Sequence, residues 1–445
     1  MLTVHAPHPS SSFEDKGCGM GCFCFGSSAD KEPPVKAEEI KEEVESVVSE
    51  EPEEQIVYAG VQDRAIWNCP GGRHISGDFS MAVCQANTIL EDFSIVQSGK
   101  FGTFVGVFDG HGGAQAASFL NDNMYSILDR ATGEAGGPSE ESFRKAFEDA
   151  EAQFLEVVRE NWKMKPIFAA AGSCALVGLV QSSTLYIASV GDSRAVVGSL
   201  DPDGDGTSLR AEEVSEEHSA SCEKTRQEVK EMIQGDDNIL VEKGGVWRVK
   251  GIIQVTRSIG DFYLKHQEFQ NNPLYTRFRL PEPLTTPALI CQPSLLVKPL
   301  TAKDRFVVFG SDGLWENVSN EETVEIVSKF PRLGIARRLV KLAMIRAARK
   351  RKLTYGDLKR LGPGRRRQVH DDISVVVLFL DSAVGKGKKK PIADITVKSY
   401  QTLTPRPEDG SVPEEEEVPD DFKFGADDSS AADGDGVDGT PAAES

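Results

Sequence analysis

The chain has 445 residues, with 70 acidic side chains against 50 basic ones, a formal net charge of −20 and 39% hydrophobic residues. Residues 1–56 carry −9 and residues 382–445 carry −8, which leaves −3 on the 325 residues between them. A near-neutral centre between two acidic tails excludes a general nucleic-acid wrapper. Eight cysteines, five of them scattered through the centre with no CxxC pair, exclude a disulfide scaffold and a zinc cluster.

The N-terminal residues lack a basic region followed by a long apolar core, so no secretory signal is expected, and no run of 18 apolar residues is present to span a membrane. Met20-Gly21-Cys22-Phe23-Cys24 would suit acylation if translation began at Met20. Phe25 stands where that pattern requires Ser or Thr, so none is expected. The segment from Asp30 to Glu54 is rich in Glu, Lys, Pro and isolated Val, too little apolar surface for a core. These features predict a disordered acidic segment over 1–56, a folded domain over 57–382 and a disordered acidic tail over 383–445, in an intracellular protein expected to be a monomer.

Within the domain, Phe101–Phe108, Cys174–Val180, Thr184–Val190, Arg194–Val197, Phe306–Phe309 and Ile373–Leu380 are apolar runs bounded by turn residues, and predict strands. Gly113–Leu128 and Glu140–Glu160 predict helices. In the second, Phe143, Phe147, Ala150, Phe154 and Val157 recur at alternating spacings of four and three. Ser319-Asn320-Glu321-Glu322 is a capping box that opens another helix. Cys174–Val197 has the spacing of a meander, and strands in runs with helices in pairs predict an α+β fold: a central antiparallel β-sandwich flanked by helices on both faces.

Carboxylates sit where these strands end. Phe101–Phe108 runs into Asp109-Gly110-His111-Gly112-Gly113, Phe306–Phe309 leads to Asp312-Gly313, Val190-Gly191-Asp192-Ser193-Arg194 is a tight turn, and His370-Asp371-Asp372 precedes the last strand, with Glu91-Asp92 upstream. A single Asp-Gly turn is commonly a solvated turn. Five acidic sites at strand ends repel one another unless a cation compensates them, and an all-oxygen ligand set suits Mg²⁺ or Mn²⁺.

Leu90-Glu91-Asp92, Val107–Gly113, Gly172-Ser173-Cys174, Val190–Arg194, Thr256–Asp261, Gly310–Glu316 and His370–Ser374, in this order, resemble the protein phosphatase 2C family of metal-dependent serine/threonine phosphatases. The resemblance covers about residues 58–381, and FSMAVCQAN, KGIIQVTRSIGD and HDDISVVVLFLD look closest to a plant subgroup. It implies hydrolysis of phosphoserine and phosphothreonine in phosphoprotein substrates with two Mg²⁺ or Mn²⁺ ions and a weaker third, in plant signalling in the cytoplasm, nucleus or plasma-membrane periphery. Asp109 would bridge the two ions, Gly110 would contribute its carbonyl, Glu91 would serve one ion, Asp312 and Asp371 the other, and Asp192 the third. His111 would be the general acid. Two features depart from the family: the arginine that usually precedes the Glu-Asp pair is missing from Phe79–Leu90, and Glu316 stands where Asp is common.

Arg337–Arg367 is the strongly basic stretch, read as a solvated helix followed by a basic loop, with a nuclear-import, lipid or phosphoprotein-docking role as alternatives. Trp315 and Trp247 are expected to be core or rim aromatics. The alternative function is a catalytically weak scaffold of the same fold that holds phosphoproteins through the basic stretch. A metal nuclease would fit the carboxylates but not the near-neutral centre.

Overall fold

Ile373–Phe379 is buried at all seven positions, as a strand covered on both faces must be. The computed structural model describes residues 65–202, 206–270, 274–280, 282–381 and 395–399. The expectations for residues 1–56, the Met20–Cys24 motif and nearly all of the acidic tail lie outside these.

Among the described residues, twelve strands build a sandwich: Ile66–His74 (β1), Gly77–Cys84 (β2), Phe93–Gly99 (β3), Gly102–Phe108 (β4), Ala175–Gln181 (β5), Thr184–Val190 (β6), Arg194–Leu200 (β7), Leu209–Glu213 (β8), Ser294–Pro299 (β9), Asp304–Gly310 (β10), Ile373–Phe379 (β11) and Thr396–Lys398 (β12). One sheet runs β1-β2-β11-β10-β7-β8 and the other β9-β6-β5-β4-β3-β12, with antiparallel pairing throughout. Side chains alternate across each sheet. Met81, Val376 and Leu378 of the first sheet meet Val105, Val107 and Leu176 of the second in the inter-sheet core. Their neighbours Ala82, Val375 and Val377, and Phe104 and Phe108, face outward to the helices.

Gln115–Glu134 (α1) and Glu140–Asn161 (α2) cover the second sheet, with Phe143, Phe147 and Ala150 against Phe104, Ala175 and Val177. Ser139 and Ser142 form a reciprocal cap at the start of α2, and Val158 rather than Val157 is its fully buried valine. Asn320–Lys329 (α3), opened by the expected Ser319/Glu322 capping box, and Ile335–Lys350 (α4) cover the first sheet. Helices on both outer faces of an antiparallel sandwich are the architecture expected. Among the described residues, no helix is long and apolar enough to cross a membrane.

Three expectations need correction. Cys174–Val197 is not a meander. β5 and β6 pair as a hairpin, but β7 joins the other sheet beside β10, so Val190–Arg194 crosses from one sheet to the other. Gly191 makes this link possible: its φ is +91, and a Cβ there would fall 2.3 Å from Cys174 Sγ. Second, α4 is not simply solvated. Leu339, Val340, Leu342, Ala343 and Met344 are buried against the sheet, where each Leu or Val contributes about 1.5–3 kcal/mol. Its charges lie on the other face, where Arg346 clamps Glu322 at 2.6 and 3.0 Å. Trp315 packs at the edge of this core and donates to Gly310 O at 2.8 Å, and Trp247 flanks another apolar cluster, both as expected.

The third correction falls in the tail. Thr396–Lys398 adds an edge strand to β3, with Ser98 N donating to Ile395 O at 2.8 Å and Ser399 N to Ser94 O at 2.9 Å. Three residues with one fully apolar side chain give little strand signal, so their order comes from the edge of β3 that they cover. A chain of residues 57–403 is therefore expected to melt higher than one of residues 57–381. Loss of about 1–2 kcal/mol of edge pairing corresponds to roughly 2–6 °C. Equal melting temperatures by circular dichroism would show that the strand contributes nothing to stability.

Candidate metal centre

The sheet register brings one end of every central strand to the same place. Phe93 pairs with Phe108, so Glu91 and Asp109 flank the same edge. Ala175 pairs with Val190, which sets Asp192 beside them. Gly310 pairs with both Val375 and Arg194, so Asp312 and Asp371 emerge at this end from the other sheet. Backbones approach closely here. Gly110 N–H donates to Glu91 O at 3.2 Å, and a Cβ on Gly110 would lie 2.5 Å from that oxygen. A Cβ on Gly313 would lie 2.2 Å from Asp372 O. Any side chain at either position would push the carboxylate-bearing segments apart.

Glu91, Asp109, Gly110, His111, Asp192, Asp312 and Asp371 thus share one site. Burial together with the charges of Asp312, Asp92, Asp192 and Asp371 pushes the Asp109 carboxyl well above the usual carboxylate range. Burial, then Asp371 and Asp192, does the same to Asp312. Burial raises Glu91 to about 7, reinforced by Asp372, and Asp371 to about 6 against the opposing charge of Arg367. Asp312 Oδ1 is buried with no hydrogen-bond partner. Hard oxygen donors that repel one another, one of them unsatisfied, fit a divalent cation. Asp109, Cys174 and Asp192 each bring a ligand atom within 4.8 Å of the others. Burial and the neighbouring Asp192 and Asp109 charges hold the Cys174 thiol protonated, and it donates to Asp192 Oδ1 at 3.2 Å. It therefore orients a carboxylate, and the donor set stays hard.

His111 is fixed by a separate device. Gly110–His111, Gly172–Ser173 and Ile259–Gly260 form a small three-stranded sheet, and this sets His111 Nε2 2.7 Å from Asp261 Oδ2. Asp261 is buried, held by Ser258 Oγ at 2.7 Å, and sits in the left-handed region at φ +53. A Cβ on Gly172 would overlap both side chains, at 2.1 Å from Asp261 Oδ2 and 2.4 Å from His111 Nε2. Burial opposes the charged imidazole, but the Asp261 carboxylate outweighs it and raises the His111 pKa above its ordinary value, which favours the protonated ring.

Three further residues stand in the sequence motifs with no metal or catalytic role expected of them, and the structure places them around the site. Asp261 was visible only as the end of a motif, with nothing to place it 150 residues back on His111. Asp92 is fully buried and accepts from Ser311 Oγ at 2.7 Å. Asp372 points away from Asp371 and collects three backbone N–H groups: Ala86 at 2.6 Å and Asn87 at 3.0 Å on Oδ1, Glu91 at 2.8 Å on Oδ2. The alternation of an entering strand hinted at such a split between adjacent aspartates.

The family model described as "Protein phosphatase 2C" matches residues 79–351. "Probable protein phosphatase 2C 25" of Oryza sativa subsp. japonica is 48% identical over 341 residues, 77% of this chain and 87% of its own. "Probable protein phosphatase 2C 79" of Arabidopsis thaliana is 50% identical over 333 residues, 73% of this chain and 86% of its own. Among solved structures, a serine-threonine phosphatase 2C from Toxoplasma gondii matches at a TM-score of 0.42 and 16% identity, over 71% of this chain and 93% of that one.

Proposed function

Since the chain belongs to the protein phosphatase 2C family, whose members are metal-dependent protein phosphatases, we propose that its carboxylate cluster is the active site and that it hydrolyses phosphoserine and phosphothreonine in phosphoproteins. The observation that carries this reading is the convergence of Glu91, Asp109, Asp192, Asp312 and Asp371, mutually repelling and largely buried, beside an ion-paired His111. Asp109 would hold two ions, with Glu91 and the Gly110 carbonyl on one side and Asp312 and Asp371 on the other; Asp192 would serve a weaker third. When bound, Mg²⁺ or Mn²⁺ here would activate the attacking water and neutralise charge on the phosphoryl group. Asp192 is oriented for its part by the Cys174 thiol, and Gly110 keeps the Glu91 and Asp109 segments in contact. His111 Nε2 is hydrogen-bonded to Asp261 Oδ2, which would stabilise the imidazolium and leave its Nδ1–H to protonate the departing serine or threonine oxygen. No observation favours a scaffold without catalysis.

The test is release of phosphate from a phosphothreonine peptide with Mn²⁺ present, and its loss in excess chelator. The same assay on His111→Gln is expected to show a loss on the order of 10²-fold with the peptide, whose alkoxide leaving group needs a proton. p-Nitrophenyl phosphate, whose leaving group needs none, should lose much less. Equal losses on the two substrates would assign His111 to positioning instead.

A further inference from the structure

The basic stretch leads back to the site. Its last loop is packed on the segment just before Glu91: Gly364 N–H donates to Ala86 O at 2.7 Å, and a Cβ on Gly364, which has φ +85, would lie 2.6 Å from Thr88 Oγ1. Arg366 is buried and ties the loop down, its Nε donating to Leu361 O at 2.9 Å. The next side chain projects over the carboxylates. Arg367 is 51% exposed, its guanidinium pairs with Asp371 Oδ2 at 2.7 Å, and its charge also acts on Glu91 and Glu316.

Two neighbouring cations, Arg194 and Lys350, are engaged elsewhere. Arg194 is held by Glu217 at 3.2 Å, Glu213 at 3.6 Å and Asn320 Oδ1 at 2.9 Å, and Lys350 donates to Glu316 O at 2.7 Å and Asn317 Oδ1 at 3.0 Å. Phe79–Leu90 contains no basic residue at all. A phosphate monoester brings two negative charges to a site already crowded with carboxylates, so a cation that reaches the phosphoryl oxygens from the protein side would add to the attraction that bound metal supplies.

Resting on the phosphatase reading of this site, we infer that Arg367 is the residue that docks the substrate phosphate. Its partner Asp371 is among the proposed metal ligands, and a carboxylate whose charge is taken up by a cation holds a guanidinium less strongly. The fork of Arg367 is then available to two phosphoryl oxygens. The loop that carries it is anchored on Ala86–Thr88, so the guanidinium is presented beside Glu91 although no arginine precedes that residue in the sequence.

The experiment is calorimetric titration of inorganic phosphate into the Mg²⁺-saturated full-length protein, with Mg²⁺ titrated into metal-free protein in parallel. Arg367→Ala is expected to weaken phosphate binding about ten-fold or more, and Arg367→Lys less, because the ammonium keeps the charge but loses the fork. Arg360→Ala, an exposed residue of the same basic stretch paired with Asp357, should leave it unchanged. Mg²⁺ should bind Arg367→Ala as tightly as wild type or more tightly, since one competitor for Asp371 is gone, and KM for a phosphopeptide should rise more than kcat falls. Unchanged phosphate affinity in Arg367→Ala, or a loss that merely follows weaker Mg²⁺ binding, would overturn the inference. If wild type neither binds phosphate nor cleaves phosphopeptide with metal present, the phosphatase reading fails first and takes the inference with it.

Discussion

Asp109→Asn is expected to lower kcat/KM on a phosphopeptide by about a thousand-fold or more, equivalent to about 4 kcal/mol of transition-state stabilisation, and added Mn²⁺ should not restore it. Asp109 ends the central strand Gly102–Phe108, and its carboxyl feels the charges of Asp312, Asp92, Asp192 and Asp371 at once. In the proposed mechanism it is the group that joins the two halves of the site. An amide keeps the shape but removes the anion, so both proposed ion positions weaken together. The sign of the stability effect separates this from simple unfolding. In chelator, the variant loses repulsion and should melt at the wild-type temperature or above. With Mn²⁺ added, wild type should gain stability in proportion to RT ln(1 + [Mn²⁺]/Kd), and the variant should not. Full recovery of activity at high Mn²⁺, or wild-type activity in excess chelator, would remove Asp109 from the centre of the mechanism.

The parts of this arrangement that could be read from the sequence are those in which a local signal and a global role coincide. Phe101–Phe108 is apolar because β4 is buried on both faces, and it stops at Asp109-Gly110 because the chain must there turn polar and pass within 3.2 Å of Glu91. The capping box at Ser319 is likewise complete within four residues. What escaped was set by distance. β1, with its Pro70-Gly71-Gly72 irregularity, shows no clean alternation, and it is held in the sheet by β2. The crossing of Val190–Arg194 between sheets follows from where β10 lies, over a hundred residues later. Asp261 and His111, or Arg367 and the loop at Ala86, become neighbours only once the sheets are stacked. The basic stretch reads as solvated in part because charge density hides the apolar stripe Leu339–Val340–Ala343–Ala347 that anchors α4.

The last expected result separates the adjacent aspartates before β11. Asp371 is partly exposed, faces Arg367, and accepts from Asn87 Nδ2 at 3.4 Å. Asp372 is 2% exposed and holds the N–H groups of Ala86, Asn87 and Glu91. Removing the first deletes a proposed ligand, whereas removing the second releases the loop that aims Glu91. Asp371→Asn should therefore lose about a thousand-fold or more in kcat/KM while its melting temperature in chelator stays level or rises, because repulsion is relieved. Asp372→Ala should do the opposite in kind. Three backbone donors lose a buried charged acceptor, so the protein should be destabilised by about 3–5 kcal/mol, and activity should fall by roughly 10–100-fold as a supporting contact is lost. Asp372→Asn should be mildest, since its oxygen can still serve Ala86 and Asn87 and only the Glu91 N–H is left facing an NH₂ group. Activity and melting curves on the three variants give the ranking directly. If Asp372→Asn is the inactive, thermally stable variant and Asp371→Asn the active one, the register of β11 is displaced by one residue and the two carboxylates exchange roles.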